Sequence, residues 1–420
     1  MKIVVENSGY DMRNLGDLAM LQIGVNRLHS LWPDAQIHVL TLNPDAVLKQ
    51  TPGATPFPLG VSSETGSTVS ENSPAPKSRS RAVKSILNGL KGKIVYRHPS
   101  LALKLMTIRR NRYGLEKTIR DADLVVATGG GYLTEIFPIN MMGALTTLDI
   151  ARRHGKPSAL MGHGIGPIDN PHLLRLTGRV LRSACLITLR ERRFSLPLVE
   201  KLGVSKDRIR VTGDDAVEYG YLNRLDHSGE GVGINLRVAS YSEVNSDLLQ
   251  KVRSVFQAIV NELKAPLIPL PISFYGRGDD LEAIHRLTQG LSVSTEERRD
   301  FDTPLDVVHE ASRCRLAVTG SYHAGVFALS QGIPAVCLAK SKYYVMKFEG
   351  LADMFGEGCI VLHLDDPMIE GKLHQAVCQM WRDSDRYRGS LLSAAQEQME
   401  QSREAYRILP EIVTRATLTA

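Results

Sequence analysis

The chain has 420 residues, 43% hydrophobic and 23% charged, with a formal net charge of +6. This length and apolar content support two or three globular domains and exclude a fibrous or wholly disordered chain. The cysteines, Cys185, Cys314, Cys337, Cys359 and Cys378, are odd in number and lack C-x-x-C spacing, which argues against a disulfide framework or a zinc site and fits buried free thiols in a reducing compartment.

Residues 2–5 form an apolar strand, followed by a polar loop over 7–16 and a helix over 17–30 with Asp17 near its start. Residues 36–40 are the next strand. No signal-like apolar region precedes the first strand, and no apolar run reaches the roughly 18 residues needed to span a bilayer, so a cytoplasmic location is expected. From 51 to 80 the composition turns to Ser, Pro, Thr and Gly, as in a mobile surface loop.

Between Arg79 and Arg120 twelve Lys or Arg stand against one acid, Glu116, a local balance of +11 that leaves −5 for the rest of the chain. Apolar residues such as Leu101, Leu105 and Ile108 are interleaved with these charges, in the pattern of a basic amphipathic helical segment. Such a segment suits an anionic membrane face, giving a peripheral place on the inner side, or an acidic phosphate-bearing substrate. A packed insertion with solvated charges fits equally well. Nucleic acid is not the expected partner, because aromatics are sparse in the patch, Tyr96 and Tyr113 alone, and it has no recognised binding motif.

Strand and helix alternate again from 123–128, a buried strand that ends in Gly129-Gly130-Gly131. A helix (141–154), strand (157–161), helix (171–182), strand (186–190), helix (196–202) and strand (209–212) follow, completing a doubly wound domain over 1–220 with an insertion at about 51–120. After a polar connection at 218–230, a second set begins with the strand 231–237. It continues through a helix (247–263), a strand (266–270), helices at 279–287 and 304–312, and a strand–helix–strand unit around 316–338. A long polar helix over 367–406 closes this second domain, 229–405, and is expected to cross back onto the first. The expected fold class is α/β, two Rossmann-like domains facing a cleft.

The strand–helix–strand unit carries the sharpest chemical signal. Its turn, Thr319-Gly320-Ser321-Tyr322-His323, lies at the carboxyl end of a parallel strand, where open α/β sheets bind ligands and free backbone N–H groups favour an anion. His323 is therefore the candidate catalytic acid/base. Gly162-His163-Gly164-Ile165-Gly166-Pro167 also follows a strand and is expected to aim His163 into the same crevice. Arg190 and Arg237, at strand ends, and Lys347, on a following helix, are candidate anion clamps. Asp214-Asp215 could mimic a metal pair, but adjacent side chains on an extended backbone point opposite ways, so a turn cap is the better reading. No metal or cofactor is expected.

These residues together resemble the polysaccharide pyruvyl transferase family. Asn14-Leu15-Gly16-Asp17 looks like its N-x-G-D motif, Gly129-Gly130-Gly131 its triple glycine, and Gly162 to Pro167 its G-x-G-I-G-P. Arg190-Glu191 with Ser195 looks like its R-[DE]-x-x-S, and Gly213-Asp214-Asp215-Ala216 resembles its D-x-A turn. His323-Ala324 with Gly332-Ile333-Pro334 looks like its H-A and G-x-P. The resemblance covers nearly the whole chain except 51–120 and implies a glycosyltransferase-B (GT-B) architecture. It also implies transfer of a pyruvyl group from phosphoenolpyruvate to a glycan or lipid-linked sugar acceptor, forming a ketal. It adds Asn14, Asp17, Gly130, Gly131, Ser321 and Tyr322 to the candidate binding residues, with the acceptor on the first domain and the donor on the second. Family members commonly carry an Arg two residues before the His to hold the donor, and this chain has Ser321 there. A hydroxyl cannot replace a bidentate guanidinium, so Arg237, Arg190 or Lys347 must supply the charge. Alternatives on the same fold are a nucleotide-sugar glycosyltransferase, with Tyr343, Tyr344 and Phe348 near its pocket, and a catalytically silent membrane-bound scaffold.

Overall fold

The computed structural model describes residues 1–7, 9–60, 95–275, 279–291 and 300–419. The Ser/Pro-rich stretch from 61 and the cations Arg79, Arg81, Lys84, Lys91 and Lys93 lie outside the described residues.

The apolar runs of the sequence become strands of two parallel sheets. The first contains β1 (Lys2–Glu6), β2 (Gln36–Thr41), β3 (Ala54–Pro58), β4 (Leu124–Ala127), β5 (Gly130–Leu133), β6 (Ser158–Ile165), β7 (Leu186–Leu189) and β8 (Ile209–Val211). Its order is β3-β2-β1-β4-β6-β7-β8, with β5 paired to β6. The second contains β9 (Gly231–Asn235), β10 (Leu267–Pro269), β11 (Cys314–Thr319), β12 (Ala335–Ala339) and β13 (Cys359–His363), ordered β10-β9-β11-β12-β13. Helices cover both faces of such sheets, so their strands read as unbroken apolar runs; Ile3, Val4 and Val5 are all fully buried. All five cysteines are free thiols. No helix among the described residues is long and apolar enough to cross a membrane.

Two elements hold the halves in register. The helix Leu15–Leu31 sends Leu15, Leu18 and Ala19 into the core around the second sheet, and Leu21, Val25 and Leu28 into the core beneath β1. The loop before it is bonded to the second half, Leu15 N–H to the Ile272 carbonyl at 2.9 Å and Phe274 N–H to the Arg13 carbonyl at 2.9 Å. The helix Ser384–Arg407 crosses in the other direction: Leu391 and Ala395 pack with the second half, while Ala405 and Tyr406 pack with Ile3 and Val5.

The basic segment is only partly a surface feature. Helix Pro99–Asn111 packs on helix Pro138–Arg153. Arg110, counted above among the segment's cations, is buried and donates to Glu6 at 2.9 Å, Thr147 at 2.7 Å, the Gly143 carbonyl at 3.0 Å and Tyr10 Oη at 2.7 Å. It turns inward because Glu6, at the end of β1, is itself buried and needs a cation.

The crossing helix is fastened by one buried charge cluster. Arg27 donates to Asp215 at 3.0 Å, to Ser402 at 2.6 Å and to Glu218 at 2.5 Å, and Tyr406 Oη donates to Asp215 at 3.0 Å. Removing one partner of a buried pair strands the other charge, which typically costs about 3–5 kcal/mol. Arg27→Met is accordingly expected to lower the unfolding free energy by about 3–5 kcal/mol in urea titrations, and a loss below about 1 kcal/mol would mean the halves hold together without it.

Candidate active site

The loops at the carboxyl ends of β1, β9 and β11 converge on a cavity of about 480 Å³ between the two halves. Of the expected site residues, Asn14, Asp17, Gly131, Arg237, Ser321, Tyr322, His323 and Lys347 line it.

His323 lies in the first turn of helix Tyr322–Leu329, at the end of β11. Its Nε2 stands 3.7 Å from Asp214 Oδ2 and has no hydrogen-bond partner, so the two form an ion pair when the imidazole is protonated. Asp214 also accepts from the Ala216 N–H at 2.9 Å and from Arg190 at 3.3 Å. Burial pushes its carboxyl up, but His323 and Arg190 outweigh burial and hold it below the ordinary carboxylate value. The sequence reading treated Asp214 as a turn cap. It is one, and it also backs the histidine, a role signalled only by the Gly213-Asp214-Asp215-Ala216 motif.

The other face of the imidazole explains the Asn14-Leu15-Gly16-Asp17 motif. Asn14 Oδ1 accepts from the Gly16 and Asp17 N–H groups at 3.0 and 3.1 Å and starts the helix. A Cβ on Gly16 would stand 1.9 Å from His323 Nδ1, so only glycine leaves room for the ring.

Of the cations that line the cavity, Arg237 and Lys347 were expected there. Arg237 donates to Asp280 at 3.0 Å and to Ser321 Oγ at 3.2 Å, while its buried Nε has no partner. Its guanidinium thus reaches the position at which the resemblance led to the expectation of an arginine. Lys347 is enclosed by aromatic rings, its Nζ 4.9, 4.7 and 5.6 Å from the centroids of Tyr322, Tyr343 and Tyr344, and it donates to Tyr343 Oη at 3.2 Å. Among the described residues no carboxylate lies within the 4.0 Å ion-pair distance of Lys347. Burial, with the Arg190 charge next, pushes the ammonium well below its ordinary value of 10.5.

Three expected residues do not reach the cavity. His163 is fully buried, its Nε2 is 3.1 Å from the Ala127 carbonyl, and Tyr132 packs edge-on to its ring at 5.1 Å. Burial pushes it down to about 4, so the ring is neutral near pH 7. The expectation that it points into the crevice fails because β6 continues to Ile165, making His163 a strand residue rather than a turn residue. Gly130 pairs with it across β5 and β6. Arg190 lies behind the wall, paired to Asp214, with its guanidinium 4.1 Å from the centroid of the Tyr322 ring. Gly131 and Gly164 give it space, since a Cβ on either would come within 2.8 Å of its side chain.

The sequence reading named Tyr343 and Tyr344 near a pocket but not Phe137, Tyr241 and Tyr275, which with them form an aromatic wall that joins the halves. Phe137 of the first half packs edge-on to both Tyr241 and Tyr343 of the second, with centroids 5.1 and 5.4 Å apart. Tyr344 lies against Tyr241, while Phe348 is core and does not line the cavity. Tyr275 donates to Asp11 at 2.9 Å across the same seam.

Two parallel-sheet halves around a cleft, with a histidine, its carboxylate and cations at the strand ends, define a transferase of the GT-B type. The polysaccharide pyruvyl transferase family model matches residues 14–341, and the chain belongs to that family. No curated protein matches the sequence significantly. Among solved structures, UDP-GlcNAc 2-epimerase from Neisseria meningitidis bound to UDP-GlcNAc is 12% identical, with a TM-score of 0.57 over 99% of this chain and 100% of the other. A putative UDP-N-acetylglucosamine 2-epimerase from Listeria monocytogenes is 11% identical, with a TM-score of 0.57 over 97% of this chain and 94% of the other. A calicheamicin glycosyltransferase is 15% identical, with a TM-score of 0.54 over 99% and 98%. At these identities the likeness is one of fold.

A 1 Å misplacement in an active site can lower a rate about a hundredfold. Gly16→Ala, which must displace the His323 ring, is expected to reduce transfer by about that factor while the melting temperature stays within a few degrees. Turnover at the wild-type rate would remove the Gly16–His323 contact from the mechanism.

Proposed function

We propose that the protein transfers a pyruvyl group from phosphoenolpyruvate to a pair of sugar hydroxyls, with the donor on the second half and the acceptor sugar on the first. The observation that carries this is Lys347, a caged ammonium lining the cavity with no carboxylate within ion-pair distance among the described residues, together with Arg237 lodged against Ser321. Two cations suit a donor with a carboxylate and a phosphate. Arg237 would supply the charge that the resemblance leads one to expect from an arginine at 321.

In this reaction a proton is added to C3 of the donor as one sugar hydroxyl oxygen bonds to C2. The C2–O bond to phosphate then breaks, the phosphate leaving with the electron pair. The second hydroxyl bonds to C2 and releases its proton, and the products are the ketal and inorganic phosphate. His323 takes the proton of the attacking hydroxyl and delivers one to C3, while Asp214 stabilises the imidazolium between these steps. The Lys347 and Arg237 charges hold the anionic ends in a site of low dielectric, where each is worth more than in water.

A nucleotide-sugar donor is the second reading, favoured by the stacked pair Tyr241 and Tyr344, centroids 6.2 Å apart, which offers a surface for a base. Thermal shifts with phosphoenolpyruvate and with UDP-sugars separate the two, stabilisation by the UDP-sugar alone favouring the second.

His323→Ala is expected to abolish transfer, a loss of at least a hundredfold, with the fold intact. Wild-type turnover in the folded variant would exclude it as the acid/base. A bound anion raises the lysine pKa, so donor binding takes up a proton wherever free Lys347 is neutral. Phosphoenolpyruvate affinity should therefore be flat below the pKa of the free lysine and fall as pH rises through it, in a range below 10.5. Lys347→Met should weaken the donor and remove that alkaline limb in calorimetric titrations. Unchanged affinity in the variant would place the anion elsewhere.

A further inference from the structure

Helix Pro99–Asn111 has two apolar faces. Ala102, Leu103 and the Arg110 stem face inward. On the opposite side Leu101, Leu105 and Ile108 are 49%, 49% and 59% exposed. At about 100° per residue these three side chains fall within an arc of about 60°. Lys104 and Arg109 border that arc, Arg97 and Arg112 continue it beyond either end of the helix, and all four are exposed.

No Asp or Glu occurs in the helix. The nearest acid in sequence, Glu116, is engaged by His154 at 3.0 Å and Arg153 at 3.5 Å, so it does not neutralise this face. The surface also runs into the cleft: Met106 and Arg109 of the same helix line the cavity, as does Ile139, itself 42% exposed, with Ile136 at 38% nearby in sequence.

A row of large aliphatic side chains bordered by cations and without an acid matches one environment on both counts, the boundary between anionic headgroups and acyl chains. Nucleic acid would satisfy the cations but leave the aliphatic row in contact with phosphate and sugar.

We propose that this helix docks the protein on an anionic lipid bilayer, with Leu101, Leu105 and Ile108 entering the headgroup boundary and the cleft mouth at Arg109 and Ile139 held against the surface. In that pose a sugar carried on a lipid reaches the cavity without leaving the membrane plane. The docking itself does not depend on which donor the cleft takes.

The test is co-sedimentation of the full chain with vesicles of phosphatidylcholine alone and with about 30% phosphatidylglycerol, at about 50 and 500 mM salt. Wild type is expected to bind the anionic vesicles at least tenfold more tightly than the neutral ones and to be released at high salt. L101Q/L105Q/I108Q, all surface positions, should lose at least tenfold in vesicle binding with an unchanged melting temperature. R97Q/K104Q/R112Q should flatten the salt dependence. Failure of wild type to bind anionic vesicles at low salt, or wild-type binding by the triple leucine/isoleucine variant, overturns the proposal. So does a wild-type dimer in sedimentation velocity that the same variant converts to monomer, because the row would then be a contact between copies of this chain.

Discussion

Two consecutive carboxylates just beyond the end of β8 organise the molecule. Asp214 and Asp215 are both buried, yet they point to opposite sides of the chain: Asp214 toward Arg190 and His323, Asp215 toward Arg27, Ser402 and Tyr406. Each is opposed by an arginine because a lone buried carboxylate would be protonated or would unfold its surroundings. Such pairs add little net stability, since desolvation consumes most of the Coulomb gain. What they supply here is position. One residue fixes the crossing helix to the first half, and its neighbour fixes the histidine that the second half contributes. The seam between the halves and the geometry of the candidate site are therefore set by adjacent residues of one turn.

This coupling explains why so many glycines lie at the seam. Gly16 admits the imidazole, Gly131 admits Arg190 and the Tyr343 hydroxyl, and Gly164 admits Arg190 again. Gly213, at φ +82 with Gln398 against it, lets the turn carrying both carboxylates meet the crossing helix. Each marks a place where polar groups of two elements meet at closer range than a Cβ permits. The cavity that results is walled by tyrosines, so a charge inside it is poorly screened. The same burial that pushes Lys347 below its ordinary value would strengthen its hold on an anion once one enters.

The fold was legible because parallel strands buried on both faces leave continuous apolar runs, as at 124–127 and 335–339. Weak strands were not. β3, with Pro56 and Pro58, sits at the sheet edge where missing N–H donors are tolerated, and β5 begins Gly130-Gly131. The long terminal helix is two helices, Ile369–Arg382 and Ser384–Arg407, meeting at Asp383, and no Pro or Gly announces the break. The site shows the same division. His323 could be placed from its own strand and turn, which are local. The role of Gly16, the His323 partner of Asp214 and the inward turn of Arg110 depend on contacts between segments 33 to 307 positions apart in the chain, which no periodicity records.

Ser321 stands where the resemblance leads one to expect an arginine, and a guanidinium from another strand lies against it. A guanidinium delivered from β9 must travel across the sheet from a neighbouring strand, and Arg237 does so because β9 and β11 are paired, with Asn235 beside Thr319. Asp280 keeps it there, accepting from Arg237, from Asn235 and from the Ile272 and Ser273 N–H groups, so the carboxylate is saturated on one oxygen and the arginine cannot swing away. Burial pushes Asp280 up, and the Arg237 charge opposes this, which ties the ionised carboxylate to the presence of that arginine. A small residue at 321 is then a requirement of this arrangement, because an arginine there would place two guanidinium groups against each other with a single carboxylate between them. The residue at 321 and the conformation of Arg237 are in this way one structural fact, with Ser321 Oγ accepting from the Arg237 guanidinium.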